Sequence, residues 1–150
     1  NRLILTRPIV AADEDMGYLP GEMERKMEPW TRPMMDVFEN YLTRNQLEKH
    51  VCIEPLGFMR GRTFNDSFII ADEMQNSTPN QMKMLLTRLG DNSKMIVMGD
   101  LKQSDLGPRN GLADLVKRIK CLELEYIEHV IMDDDDILRH PAVAEILKLY

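Results

Sequence analysis

Four strand-forming apolar residues, Phe68-Ile69-Ile70-Ala71, run directly into Asp72 and Glu73, and a second run, Met95-Ile96-Val97-Met98, ends in Gly99-Asp100. Short apolar runs bounded by polar and turn residues predict buried strands. Between them, Thr78-Pro79-Asn80-Gln81 supplies a capping residue, a proline at the first helical position and a glutamine at the capping-box position, so a helix begins there. Met82, Leu85, Leu86 and Leu89 follow at helical spacing, and Gly90 is placed as the C-terminal stop. Strand, helix and strand over Phe68 to Gly99 predict a right-handed parallel crossover.

The same patterning extends along the chain. Arg2 to Thr6 reads as a short buried strand. Residues 8 to 32 are rich in Pro, Gly, Met and acids and read as an excursion, with a short helix around Glu22 to Met27. From Pro33, the residues Met34, Val37, Phe38 and Tyr41 form a helical stripe, a second short helix covers Asn45 to His50, and Cys52-Ile53 is a brief strand before Pro55. Leu112, Leu115, Val116 and Ile119 mark another amphipathic helix, after which Leu124, Tyr126 and either Glu128 or Val130 alternate as a strand. Pro141 opens the last helix, capped by His140, with Val143, Ile146, Leu147 and Tyr150 on its buried side. The acidic run Asp133 to Asp136 reads most simply as a helix N-terminus, where acids complement the dipole, in preference to a metal site.

Two parallel strands deliver polar side chains to one sheet edge, and ligands of open parallel sheets bind beyond the carboxyl ends of the strands. Asp72, Glu73, Asp100 and Gln103 are therefore expected to converge on one crevice, with Gly99 letting the backbone turn or approach closely. In nucleoside-triphosphatases the first acid at such a strand end holds Mg²⁺ through water, and the second aligns or deprotonates the attacking water. The competing reading is a strand that meets solvent and ends in a polar turn.

Asp72-Glu73-Met74-Gln75-Asn76, Gln81-Met82-Lys83-Met84, Leu86-Thr87-Arg88-Leu89-Gly90 and Gly99-Asp100-Leu101-Lys102-Gln103-Ser104-Asp105-Leu106 together resemble the PhoH-like ATPases, relatives of the superfamily 1 helicase core. Leu5-Thr6-Arg7-Pro8, Gly17-Tyr18-Leu19-Pro20-Gly21, Arg32-Pro33, Met59-Arg60-Gly61-Arg62-Thr63 and Arg139-His140-Pro141 match further segments in the same order, so the likeness covers nearly the whole chain. Gly99-Asp100-Leu101-Lys102-Gln103 and Asn110-Gly111-Leu112 lean toward the phage-encoded branch. The resemblance implies one α/β domain, the RecA-like core of a P-loop NTPase with a mainly parallel sheet flanked by helices. It implies ATP and Mg²⁺ at the strand ends, with Asp72, Asp100 and Arg7 in cofactor binding, Asp72 holding Mg²⁺ through water, Glu73 activating water and Gln103 sensing the γ-phosphate. It also implies action on RNA or single-stranded DNA, contacted by Arg60, Arg62 and Thr63, and a homo-oligomer, with a hexameric ring as one form. Arg139 is then the candidate to enter a neighbouring subunit's site and neutralise transition-state charge, against the alternative of an ion pair with Asp135 or Asp136.

One departure from the family pattern stands out: no Gly-x-x-x-x-Gly-Lys-Ser/Thr run occurs in the chain. The expectation is that truncation or gene splitting removed the phosphate-binding loop, whose backbone N–H groups and lysine hold the β- and γ-phosphates. The 150 residues then hold part of a nucleotide site and by themselves neither bind Mg-ATP at micromolar concentration nor hydrolyse it. Two other classes stay open: a non-catalytic oligomerisation or RNA-binding module, and a metal-dependent nuclease using Asp72, Glu73, Asp100 and Asp105.

Composition narrows the partners. A chain of 150 residues with 43% hydrophobic and 29% charged content fits one globular domain with a sizeable core. No apolar stretch approaches the roughly 20 residues of a membrane span and no signal-like segment opens the chain, so the expectation is a cytoplasmic protein with no membrane partner. Net charge of −6 means that any nucleic-acid site is local, and Arg7, Arg25, Lys26, Arg32, Arg60 and Arg62 all fall in the first half. Cys52 and Cys121 lack neighbouring ligands at zinc spacing and read as reduced structural thiols. The twelve methionines read as core filling, and His50 and His129, which lack metal-ligand spacing in the sequence, read as surface or satisfied core residues.

Overall fold

The computed structural model describes residues 2–9, 22–132, 136, 140–147 and 149. The matched segment at 17–21, the acids at 133–135, Arg139 and Tyr150 lie outside the described residues, as do the side chains of Arg25, Lys26 and Leu147. Nine elements follow in order among the described residues: β1 (Arg2–Thr6), α1 (Glu22–Glu39), α2 (Arg44–His50), β2 (Val51–Ile53), β3 (Ser67–Ala71), α3 (Pro79–Leu86), β4 (Lys94–Val97), α4 (Gly111–Ile119) and α5 (Pro141–Leu147). Short 3₁₀ turns at Leu56–Met59, Met74–Asn76, Leu101–Gln103 and Gly107–Arg109 join them. No helix among the described residues is long and apolar enough to cross a membrane.

The four strands form one sheet in the order β2-β1-β3-β4, parallel throughout. Register places Ile4 beside Ile69 and Ile69 beside Met95, and because strand side chains alternate between faces, Ile4, Ile69, Ala71, Met95 and Val97 share one face. That face packs on Met74, Met82, Leu85 and Leu112, with Leu56, Met59 and Phe64 closing the same core. Met59, Met74 and Met82 are buried and fill core space, as a flexible thioether allows, whereas Met98 and Met132 are exposed. The opposite face, carrying Leu5, Phe68, Ile70 and Ile96, is covered in part by α1. An apolar groove of about 260 Å³ remains between them, lined by Pro33, Met34, Val37, Phe38, Ile70 and Met98.

The parallel crossover through α3 forms as expected. Thr78 Oγ1 accepts from the Gln81 backbone N–H at 3.2 Å, and the Thr78 N–H donates to Gln81 Oε1 at 2.8 Å, a reciprocal cap that satisfies two of the donors orphaned at a helix start. His140 Nδ1 accepts from the Ala142 N–H at 3.2 Å and so caps α5.

Four expectations are corrected. The helix at Glu22 continues through Pro29 and Pro33 to Glu39 as one element. The spacing of four places both missing N–H donors on one side, so the hydrogen-bond ladder persists on the other. The α3 helix stops at Leu86, short of Gly90, and Leu89 is exposed and bridges Phe64 in parallel. Gly90 serves close packing instead: a Cβ there would strike the Asn65 side chain and come within 2.7 Å of the Phe64 carbonyl oxygen. The alternating segment around Leu124 to Val130 forms no strand and is exposed throughout, Tyr126 at 90%. Alternation specifies which side chains share a face but does not supply a neighbouring strand, and none of the described strands pairs with it. Ile146 on α5 is exposed where a buried face was expected. Of the two free cysteines, Cys52 is half-buried and its thiol is pushed above the usual range by burial and then by the Glu54 carboxylate, whereas Cys121 is exposed.

Candidate functional site

The carboxyl ends of β1, β3 and β4 build the site. Beyond Ala71, the Asp72 N–H donates to the Thr6 carbonyl at 2.9 Å, extending the β1–β3 ladder by one residue. On the other side Met98 clamps the chain twice: its N–H donates to the Ala71 carbonyl at 2.8 Å and its carbonyl accepts from the Met74 N–H at 2.9 Å. Asp72 and Glu73 are the two residues left between those clamped points. To close so short an excursion, Glu73 adopts a left-handed backbone, φ 53° and ψ 32°. For a residue with a Cβ such strain costs on the order of 1–3 kcal/mol and persists only where surrounding contacts over-determine it.

A hydrogen-bonded chain of side chains then joins the two strand ends. Gln75, only 1% exposed, donates from Nε2 to Glu73 Oε2 at 2.6 Å. Its Oε1 accepts from the Asp100 backbone N–H at 3.2 Å. The Asp100 carboxylate accepts from the Lys102 N–H at 2.8 Å and from Gln103 Nε2 at 2.8 Å. Gly99 makes this approach possible, because a Cβ there would collide with Gln75 Oε1 and sit 3.0 Å from the Gln75 backbone nitrogen. Three further bonds hold the turn Met74–Asn76 against the loop after β4. Ser104 Oγ donates to the Gln75 carbonyl at 2.8 Å, the Asp105 N–H donates to Asn76 Oδ1 at 2.9 Å, and buried Asn110 donates to Ser104 Oγ at 3.1 Å. Asn110 also accepts from the Ala113 N–H at 2.8 Å and so caps α4.

Asp72 is half-buried, and its carboxylate makes no hydrogen bond or ion pair among the described residues. Thr6, whose carbonyl accepts from the Asp72 N–H, has a buried Oγ1 without a hydrogen-bond partner among the described residues. A hard, open carboxylate at this edge suits Mg²⁺, which is commonly held through one or two carboxylates, water and substrate phosphates. No three Asp, Glu, His or Cys side chains gather closely enough to hold a metal ion among the described residues.

The structure thus brings Glu73, Asp100 and Gln103 together with Asp72, and sets Arg7 on the same edge directly after Thr6. The main chain of the Arg60 to Thr63 segment is held elsewhere, although the Arg62 guanidinium reaches Glu54, the residue after β2. Arg62 forms an ion pair with Glu54 at 2.7 Å, lies 4.7 Å from the Phe64 ring centroid, and accepts at its carbonyl from Arg88 Nη1 at 2.9 Å. Since Arg88 follows the end of α3 and Phe64 precedes β3, the main chain here sits at the opposite, amino edge of the sheet. Arg60 and Thr63 are exposed, and Gly61, at φ 77°, makes the turn between the two arginines. Arg32 is engaged by Asp36 at 2.7 Å. Sequence reasoning missed Gln75 as a site residue, along with Ser104 and Asn110. Gln75 stands two residues past Glu73, which hints at contact, but its link to Asp100 spans residues far apart in the chain.

The family model described as PhoH-like protein matches residues 1–150. The chain belongs to the PhoH-like family. It is 44% identical to the PhoH-like protein of Bacillus subtilis (strain 168) over 156 residues, covering 99% of this chain and 48% of that protein. It is 39% identical to the PhoH-like protein of Synechocystis over 155 residues, covering 100% of this chain and 47% of the relative. Protein PhoH of Escherichia coli (strain K12) is 42% identical over 160 residues, 100% of this chain and 44% of that protein. The chain therefore spans about half the length of the PhoH-like relatives it matches.

Proposed function

We propose that the chain carries the metal- and water-handling half of an ATP-hydrolysing site. The observation that supports this reading is the open Asp72 carboxylate next to the bonded series Glu73, Gln75, Asp100 and Gln103 at one parallel-sheet edge. In this reading Asp72 would hold Mg²⁺, which would offset phosphate charge, Glu73 would orient and deprotonate the attacking water, and Gln103, positioned by Asp100, would meet the γ-phosphate. Little covalent work is asked of the protein, so charge placement and geometry supply most of the catalysis. The phosphate grip comes from a loop outside these 150 residues, and hydrolysis drives movement on RNA or single-stranded DNA.

The test uses a protein of the relatives' length that carries a phosphate-binding loop. Glu73→Gln is expected to abolish hydrolysis and retain ATP binding, because the amide keeps the shape and cannot accept a proton. Turnover above about a tenth of wild type, a smaller loss than removal of a general base gives, would count against Glu73 as the base. The same assay with added single-stranded RNA or DNA decides the motor reading: unchanged turnover and no binding confine the activity to the nucleotide.

A further inference from the structure

Gln75 is a buried polar side chain that uses both ends of its amide on two different elements. Nε2 holds the carboxylate of Glu73, whose backbone is strained, and Oε1 holds the main chain of Asp100, whose side chain holds Gln103. Neither contact is needed to cap a helix or extend the sheet. Sheet continuity at this point comes from the Met98 bonds to Ala71 and Met74, and the turn is anchored separately through Ser104 and Asn76. A buried amide placed this way costs desolvation unless every partner is present, so the contact is sensitive to any shift of either strand end.

We propose that Gln75 is a positioning residue that couples Glu73 to the Gln103 arm, so that the side chain handling water and the side chain meeting phosphate move as one unit. With Gln75 in place, the Glu73 carboxylate is held in one orientation. When Gln103 is drawn from Asp100 toward a bound phosphate, the change at Asp100 reaches Glu73 through a single amide. The kinetic consequence rests on the proposed role of Glu73 in hydrolysis. The coupling itself does not, and it exists in the chain without nucleotide.

The experiment has two arms. In the 150-residue chain, ¹H–¹⁵N spectra report the Asp100 amide and the Gln103 side-chain amide. Glu73→Ala is expected to shift both resonances in the wild-type background and to leave them unmoved in a Gln75→Met background, since methionine fills the space without either hydrogen bond. Equal shifts in both backgrounds overturn the coupling, whatever the activity. Gln75→Glu, of the same shape, guards against misfolding: as pH falls and the new carboxyl gains a proton it can donate to Glu73, and the Glu73→Ala shift at Asp100 is expected to return. In a protein of the relatives' length, Gln75→Met is expected to lower kcat by about 10- to 100-fold, the scale of a misplaced reacting group, with KM for ATP changed less than about threefold. A rise in KM with kcat intact overturns the positioning role. If Glu73→Gln proves active while the spectroscopic coupling holds, the hydrolytic reading fails and the coupling stands.

Discussion

Glu73 and Gly99 stand at two adjoining strand ends, and each is shaped by the strand beside it. Glu73 takes the left-handed backbone because Ala71 and Met74 are both bound to Met98, and Gly99 lacks a Cβ because Gln75 lies against its Cα. A methyl group at Gly99 would meet a backbone nitrogen at 3.0 Å and Leu112 Cδ2 at 2.9 Å, neither of which is the free end of a flexible surface chain. Gly99→Ala is therefore expected to destabilise the chain by about 1–3 kcal/mol, the range for overpacking a filled interior. Urea unfolding measures it, and a loss under about 0.5 kcal/mol would mean that the strand ends separate freely. Arg118 and Asp114 mark the other extreme: their i,i+4 ion pair on α4 at 2.7 Å lowers the Asp114 pKa through its hydrogen bond, yet it is solvent-exposed and adds little to stability.

At the scale of elements, α3 carries the connection between the two strands that form the site. Its start is fixed by Thr78, Pro79 and Gln81 and its buried face by Met82 and Leu85, so the turn Met74–Asn76 is held between a capped helix and β4. Thr78 is exposed, which separates its capping role from packing. Thr78→Ala is expected to cost about 1 kcal/mol, the usual effect of removing such a cap, with the core unchanged. Thermal or urea unfolding followed by circular dichroism checks this, and an unchanged midpoint would show that Pro79 and packing suffice to start the helix. The α4 N-terminus depends on α3 as well. Gly111 donates to the Ser77 carbonyl at 2.6 Å, and a Cβ there would come within 2.6 Å of the Thr78 carbonyl oxygen, so the two helix starts lie side by side.

For the whole molecule, the two sheet faces are unequal. One is closed by α3, α4 and the Leu56–Met59 turn, while the other leaves Phe68, Ile96 and Met98 37–39% exposed beside the α1 groove. All-parallel sheets are normally covered on both faces, and β4 is an edge strand whose outer side has no partner among the described strands. Leu122, Tyr126, Val130, Ile131 and Met132 add further exposed apolar surface. Exposed apolar surface promotes association where it forms a patch. Sedimentation velocity on the 150-residue chain is expected to show concentration-dependent self-association that Ile96→Lys reduces. A single monomer boundary across a hundredfold concentration range would contradict this.

Much of the frame is legible in the sequence. The strands read at Arg2–Thr6, Phe68–Ala71 and Met95–Met98, which the structure places at Arg2–Thr6, Ser67–Ala71 and Lys94–Val97, the reciprocal cap of α3 and the arrival of Asp72, Glu73, Asp100 and Gln103 at one edge follow from local information. Apolar runs, turn residues and capping spacings act over a few positions, and a parallel pair joined by a helix has few ways to close. Tertiary structure decided what depends on distant neighbours. The segment from Leu124 to Val130 has strand patterning and no strand to pair with, and α1 runs through two prolines that local rules read as a boundary. Gly90 packs against Phe64 and does not end a helix. The left-handed Glu73 and the Gln75 bridge exist because Met98, Gly99 and Asp100 arrive from the next strand. Periodicity records which face a residue occupies, whereas hydrogen bonding across strand ends depends on which distant backbone the fold sets beside it.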